Sequence, residues 1–147
     1  MAAIRRASVS WDGDLASGTG VASADSSGLF SELPISWASR TEAPQDRTSP
    51  EELLAAAHAS CFVMALSGGL ARAGTPPEHL DVSAAVTFDK IGEAWTVVSS
   101  ALTVRGRVPG SDDAAFQQAA ETARDGCPVS RALAGNVKLS VEASLEH

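Results

Sequence analysis

The chain has 147 residues, 44% of them hydrophobic and 20% charged, which suits one domain with a real core. Its net charge of −7 argues against non-specific nucleic-acid binding and against an anionic membrane surface as partner, because both need a basic face. Aromatic residues make up only 5%, so alanine, valine and leucine must fill most of the core.

The ends of the chain bear on its location and extent. The start "MAAIRRASVSW" has no apolar region of the kind that a signal peptide carries, so we expect a cytosolic protein. Structural disulfides are rare in that compartment. The last three residues, "LEH", are typical of the start of a vector-encoded histidine tag. We therefore expect a single domain over residues 1–144, with 145–147 left out of the functional argument.

The first third of the sequence predicts strands. Residues 4–11 and 19–24 alternate in polarity, and the turn formers in "WDGDLASGTG" between them predict a hairpin. The segment "PISWASRTE", residues 34–42, predicts a third strand with Arg40 near its end.

A long apolar helix is predicted from about Pro50 to Arg72. Ser49 is a suitable N-cap, and Glu52 three residues later fits a capping box; Gly74 marks the end. The segment is too rich in alanine and polar residues for a convincing transmembrane helix. Because it is apolar on nearly every face, it should be buried all round, and a second copy of the chain is the simplest cover. We therefore expect a homodimer with this helix near the interface.

The second half predicts two strands, two helices and a last strand. "HLDVSAAVTFDKIG" and "AWTVVSSALTVRGRVP" form the strand pair, joined at Gly92 and Glu93. A helix capped at Ser111 ends at Gly126, "CPVSRALA" forms a short helix, and "NVKLSVEAS" is the last strand. This order predicts an α+β fold with an antiparallel sheet.

Two cysteines are the main candidates for chemistry. Cys61 lies in the middle of the long helix, and Cys127 lies at the joint before Pro128. No CxxC pair exists, and the three histidines do not cluster with the cysteines, so the spacing does not suit zinc. Two inert buried thiols, a redox pair and a structural disulfide all remain open from the residues alone.

The positions of the two cysteines favour redox chemistry. Cys61 is far from both helix ends, so the helix dipole barely lowers its pKa, and a reactive thiolate there needs a cation from elsewhere. Cys127 is placed for an accessible thiol in a partly mobile joint. A nucleophile on a rigid helix with a partner on a hinge is the arrangement that a two-cysteine peroxidase needs.

The motifs "TSPEELLAAAHASCFVMALS" and "GCPVSRAL" together resemble the OsmC/Ohr family of thiol-dependent hydroperoxide peroxidases, and "AAAHASCF" resembles the OsmC branch more than the Ohr branch. The resemblance implies a sheet that wraps the buried central helix in an intertwined dimer. It implies that Cys61 is peroxidatic, that Cys127 is resolving, and that Arg40 and Glu51 assist. Arg47, in the polar loop, is the alternative to Arg40.

Helix geometry keeps Glu51 and Cys61 of one chain apart. The two residues are ten positions apart on one helix, a rise of roughly 15 Å, which a carboxylate cannot bridge. If both serve one site, Glu51 must come from the other protomer, with Arg40 paired to it and reaching the partner's thiolate. Without the family, Glu51 could equally be a helix-start acid, and Arg40 a solvated strand end. His58, one turn before Cys61, is either a tuner of the thiol or a hydrogen-bonded core histidine.

The resemblance therefore implies a peroxidase without metal or cofactor. Its partners would be a hydroperoxide substrate, organic rather than hydrogen peroxide by preference, and an external dithiol reductant such as dihydrolipoamide. Two other classes stay open: a redox sensor or binding module that is oxidised without turnover, and a structural dimer with inert thiols.

Overall fold

The fold is taken from a computed structural model that describes residues 1–147. The chain has two compact units, residues 1–53 and 54–147. The first unit contains strands β1 (Ala7–Asp12), β2 (Thr19–Ala24) and β3 (Leu33–Ile35), followed by the short helix α1 (Ala38–Thr41). The strands form one antiparallel sheet in the order β1-β2-β3, which confirms the predicted hairpin.

The predicted third strand is wrong beyond residue 35. Residues 38–41 form α1, so Arg40 lies on a helical turn and not near the end of a strand. The turn is stabilised by two serines. The Ser36 hydroxyl accepts from the backbone N–H of Ser39, and the Ser39 hydroxyl shares its one proton between the carbonyl oxygens of Ser36 and Thr48. These local hydrogen bonds give the backbone an alternative to the sheet ladder.

Helix α2 (Pro50–Arg72) begins and ends as the sequence predicts. The Ser49 hydroxyl accepts a hydrogen bond from the backbone N–H of Glu52, and Gly74, with φ +88°, follows the last turn in the left-handed region that favours glycine. The second half of the capping box is wrong: the Glu52 carboxylate accepts instead from the Thr48 hydroxyl.

In the single chain, α2 buries one stripe and not every face. The buried positions of the stripe recur every four residues: His58, Phe62, Leu66 and Leu70. Met64 is 70% exposed on another face. With a mean hydropathy of 1.7 in its most apolar window, α2 could cross a membrane by length and composition, but core helices pass the same test and its stripe packs into the core. All-round burial against a second copy stays a prediction.

The second unit continues α2 and adds β4 (His79–Ile91), β5 (Ala94–Arg107), α3 (Asp113–Gly126), α4 (Pro128–Leu133) and β6 (Lys138–Leu145). The sheet order is β4-β5-β6. The β4–β5 pair is antiparallel as predicted, whereas β6 pairs with β5 in parallel, so the expectation of a purely antiparallel sheet needs this correction. The physical reason is that α3 and α4 form a crossover, which returns the chain to the same end of the sheet.

Side chains from α2, the sheet and α3 form the core of this unit. The buried members are Phe62, Leu66, Leu70, Leu102, Val104, Val108, Phe116, Ala120, Ala123, Cys127 and Val141. The cap of α3 differs from the prediction by one residue: the Asp112 carboxylate accepts from the backbone N–H of Ala115, and Ser111 lies outside. The mixed architecture confirms the α+β class.

Candidate active site

The second unit brings the two cysteines together. The thiol groups of Cys61, on α2, and Cys127, between α3 and α4, approach each other to 3.5 Å. Both are free thiols. Cys61 is partly buried and Cys127 is fully buried, so the predicted accessibility of Cys127 is wrong: its side chain packs into the core of the second unit. A disulfide needs a sulfur–sulfur distance of about 2.05 Å, so the pair can be bridged after a shift of roughly 1.5 Å.

Local sequence fixes the position of Cys127. Cys127 has an extended backbone between two helices, and Pro128 provides the first residue of α4. The sulfur of Cys127 replaces the usual oxygen cap: it accepts from the backbone N–H of Ser130 at 3.3 Å and donates its proton to the Ser130 hydroxyl at 3.1 Å. The same thiol therefore caps α4 and faces Cys61.

Several groups shift the pKa of the Cys61 thiol in opposite directions. Burial raises its pKa above the ordinary value, the neighbouring Cys127 thiol raises it further, and the backbone N–H of Val129 and the charge of Arg131 lower it. The net effect is a raised pKa, so Cys61 of the single chain is mainly protonated at neutral pH. A fast nucleophile at this position requires a further cation.

A buried polar cluster lies beside the cysteines. His58 is fully buried; its Nδ1 is 2.6 Å from the Ser100 hydroxyl, and its Nε2 is 2.8 Å from the Ser130 hydroxyl. His58 is therefore the hydrogen-bonded core histidine that was one of its two predicted roles, while Ser130 also links it to Cys127. Sequence reasoning missed both serines. Ser130 could have been found from its place three residues after a helix cap, but Ser100 carries no such signal.

The first unit brings Arg40 and Glu51 together. The guanidinium donates two hydrogen bonds to the carboxylate, from Nε to Oε1 at 2.8 Å and from Nη2 to Oε2 at 2.9 Å. The Arg40 guanidinium also lies 5.4 Å from the ring centroid of Trp37, within cation–π range. Arg47, the predicted alternative, is exposed in the loop. The bidentate geometry holds the guanidinium in one orientation.

An apolar cavity of about 160 Å³ lies next to Arg40 in the same unit. Its walls are formed by Trp11, Leu15, Ile35, Ser36, Trp37, Arg40 and Pro50. The cavity is smaller than the ligand pockets of about 300–1,000 Å³ that are usual in proteins, and Arg40 is the charged residue in its wall.

The four predicted site residues thus form two pairs, one in each unit. Within the continuous helix α2, Glu51 and Cys61 are separated by roughly 15 Å of rise, as predicted. The structure groups no three histidine, cysteine, aspartate or glutamate side chains that could hold a metal ion.

Comparison with known proteins gives consistent matches. Residues 43–142 match the family model described as "OsmC-like protein". Peroxiredoxin OsmC of Escherichia coli is 38% identical over 132 residues, which cover 90% of this chain and 91% of that protein. An organic hydroperoxide resistance protein of Xanthomonas axonopodis is 31% identical over 97 residues, covering 65% of this chain and 66% of that protein. The higher identity to OsmC agrees with the predicted branch.

Solved structures give the same fold. The organic hydroperoxide resistance protein OhrB of Bacillus subtilis aligns with a TM-score of 0.73 and 25% identity, covering 95% of this chain and 98% of that one. A hydroperoxide resistance protein from Elizabethkingia anophelis aligns with a TM-score of 0.74 and 23% identity over 99% of this chain and 100% of that one. With the family model matching well over half of the sequence, the chain belongs to the OsmC-like family.

Proposed function

We propose that this protein is a cytosolic, homodimeric two-cysteine peroxidase that reduces organic hydroperoxides. The relatives named peroxiredoxin and hydroperoxide resistance protein support a peroxidase-type function. The observation that carries the two-cysteine mechanism is the 3.5 Å approach of the thiols, because inert core thiols have no need to lie within reach of a disulfide.

The first step oxidises Cys61. Its thiolate attacks the distal oxygen of the hydroperoxide, the O–O bond breaks, and the alkoxide takes up a proton and leaves as an alcohol. Cys61 is then a sulfenic acid. In the second step the Cys127 sulfur attacks the Cys61 sulfur, the S–O bond breaks, and the hydroxide leaves as water after taking up a proton. The product is the Cys61–Cys127 disulfide, which an external dithiol such as dihydrolipoamide reduces by thiol–disulfide exchange.

The raised pKa of Cys61 supports an active site that is completed by a second protomer. The chain's own second unit does not lower this pKa below the ordinary value, although Val129 and Arg131 act in that direction. The Arg40–Glu51 pair of a partner would supply the missing guanidinium. The apolar cavity beside Arg40 would then receive the organic part of the substrate, which favours alkyl hydroperoxides over hydrogen peroxide.

Steady-state reduction of an alkyl hydroperoxide with a dithiol tests the reaction. Cys61→Ser should remove turnover, and Cys127→Ser should turn over slowly and accumulate the sulfinic acid of Cys61 in its mass spectrum. Many turnovers per chain support the enzyme, whereas one stoichiometric oxidation supports the sensor. Retained activity in Cys61→Ser would refute the mechanism.

Subunit mixing tests the shared site. Cys61→Ser and Arg40→Met are each expected to be inactive, but a mixed dimer has one site with both native groups. Random exchange should therefore restore about a quarter of the parent activity if the guanidinium acts across the interface of a symmetric dimer. The matched control mixes Cys61→Ser with Cys127→Ser. Because Cys61 and Cys127 of the same chain form the disulfide, these two variants should not complement each other. Equal recovery in both mixtures would contradict the shared site.

A further inference from the structure

When the disulfide forms, the Cys127 thiol must lose its proton at a site that is buried from water. Its side chain is fully buried, as are His58, Ser100 and Ser130. A continuous row of hydrogen bonds leads away from its sulfur: 3.1 Å to the Ser130 hydroxyl, then 2.8 Å to His58 Nε2, and from His58 Nδ1 2.6 Å to the Ser100 hydroxyl. No step of the reaction above uses this row.

The hydrogen bonds of this row can all donate in one direction, from Cys127 towards Ser100. Because the Cys127 thiol donates to the Ser130 oxygen, the Ser130 hydroxyl proton is free to point to His58 Nε2. His58 Nε2 is then the acceptor, and the ring carries its proton on Nδ1, which donates to the Ser100 hydroxyl. The Ser100 hydroxyl can accept the Nδ1 proton, so its bond is compatible with this tautomer.

We propose, on the basis of the peroxidase function above, that His58 accepts through Ser130 the proton that Cys127 loses when it forms the disulfide. The Cys127 proton moves to the Ser130 oxygen while the Ser130 proton moves to His58 Nε2. The Cys127 sulfur is oxidised as it bonds to Cys61, the Cys61 sulfur is reduced as its S–O bond breaks, and the hydroxide takes up one proton to leave as water. His58 then gives up the proton that it stored, which equals the one proton that the hydroxide takes up, so the step is balanced.

The surroundings of His58 keep its ring neutral, so that Nε2 can accept a proton. Its burial lowers the pKa, so the ring is neutral at neutral pH. The ionisable groups that the structure places at this site are Cys127, whose sulfur begins the row, Cys61 on α2 and Arg131 on α4, which acts on Cys61; β5 contributes the neutral Ser100. His58 acts through Ser130, so it positions and stores a proton and does not itself touch the reacting sulfurs.

Single-turnover oxidation separates the two steps. The reduced protein is mixed with one equivalent of an alkyl hydroperoxide; peroxide consumption reports sulfenic acid formation, and loss of two hydrogen atoms in the intact mass reports the disulfide. His58→Gln and Ser130→Ala should form the sulfenic acid at the parent rate but the disulfide about 100-fold more slowly at neutral pH, a typical loss for a proton acceptor. Ser60→Ala is the matched control, because this exposed hydroxyl beside Cys61 bonds only to Ala56 of its own helix.

The pH profile distinguishes proton transfer from packing. The parent's disulfide step should slow as the pH falls and His58 becomes protonated, and that inflection should be absent from His58→Gln, whose rate should recover as hydroxide increases at high pH. A deficit equal at every pH would show a packing role and overturn the proposal. So would a parent-like disulfide rate in both variants.

The unmodified protein gives a test that does not depend on folding of the variants. Imidazole nitrogen chemical shifts of the reduced dimer should show neutral His58 with its proton on Nδ1 at pH 7. A proton on Nε2, or a charged ring, would overturn the relay. If instead the parent consumes no hydroperoxide at Cys61, the peroxidase function itself fails, which these readouts distinguish from failure of the relay alone.

Discussion

Loss of Arg40 should reduce the free energy of unfolding more than loss of the Glu51 charge does. The Arg40 side chain is 28% exposed and that of Glu51 only 9%. Removal of the Glu51 charge leaves a guanidinium that water can still reach, so Glu51→Gln should reduce the free energy of unfolding by about 1.5 kcal/mol, the lower end for one hydrogen bond to a charged group. Removal of Arg40 leaves a buried carboxylate unpaired, so Arg40→Met should cost about 3 kcal/mol, the lower end for a broken buried pair.

A double-mutant cycle measures this asymmetry. Urea unfolding is followed for the parent, the two single variants and the double variant at one protein concentration, because the stability of the proposed dimer would depend on concentration. The double variant should be more stable than Arg40→Met, because replacing the carboxylate removes the unpaired charge. If Glu51→Gln costs more than Arg40→Met, or the two costs simply add, the assignment of Glu51 as the desolvated partner is wrong.

Three further predictions concern stability. Burial lowers the pKa of His58 in the folded protein, so the free energy of unfolding should fall as the pH drops below about 6.5. The slope should be at most about 1.4 kcal/mol per pH unit. Urea unfolding of His58→Gln at the same pH values should lack this slope. A Cβ at Gly106 would lie 2.8 Å from Phe116, so Gly106→Ala should destabilise by about 1–3 kcal/mol, while Gly126→Ala, with open space, should be neutral or stabilising by thermal unfolding. Asp112→Ala should cost about 1 kcal/mol in the same assay, and a Ser111→Ala control almost nothing.

The sequence predicted α2 well because its signals are local. Ser49, the proline after it and Gly74 each act within one turn of the helix end that they define. The sequence wrongly predicts a strand over residues 38–41, because the hydrogen bonds of the Ser39 hydroxyl to Ser36 and to Thr48, nine residues on, carry no signal in a pattern of alternating polarity. The parallel pairing of β6 is equally non-local, and no residue pattern in β6 distinguishes a parallel from an antiparallel neighbour.

The candidate site was predicted where a motif pointed to it. Cys61 and Cys127 are the only cysteines, and the structure brings them together; Arg40 and Glu51 pair as expected. Their catalytic roles stay predictions. Ser100 could not be recognised, because a serine on a strand becomes informative only when the fold places His58 opposite it.

The parallel β5–β6 pair also bears on when the thiols first meet during folding. A parallel pairing cannot close until the crossover that carries Cys127 has been laid down, and such non-local contacts form late and slowly. Cys61 is synthesised before Cys127, so for part of synthesis the chain carries only one of the two thiols. If Cys127 is the resolving cysteine, as proposed, it cannot protect Cys61 from irreversible oxidation until the crossover that carries it has folded.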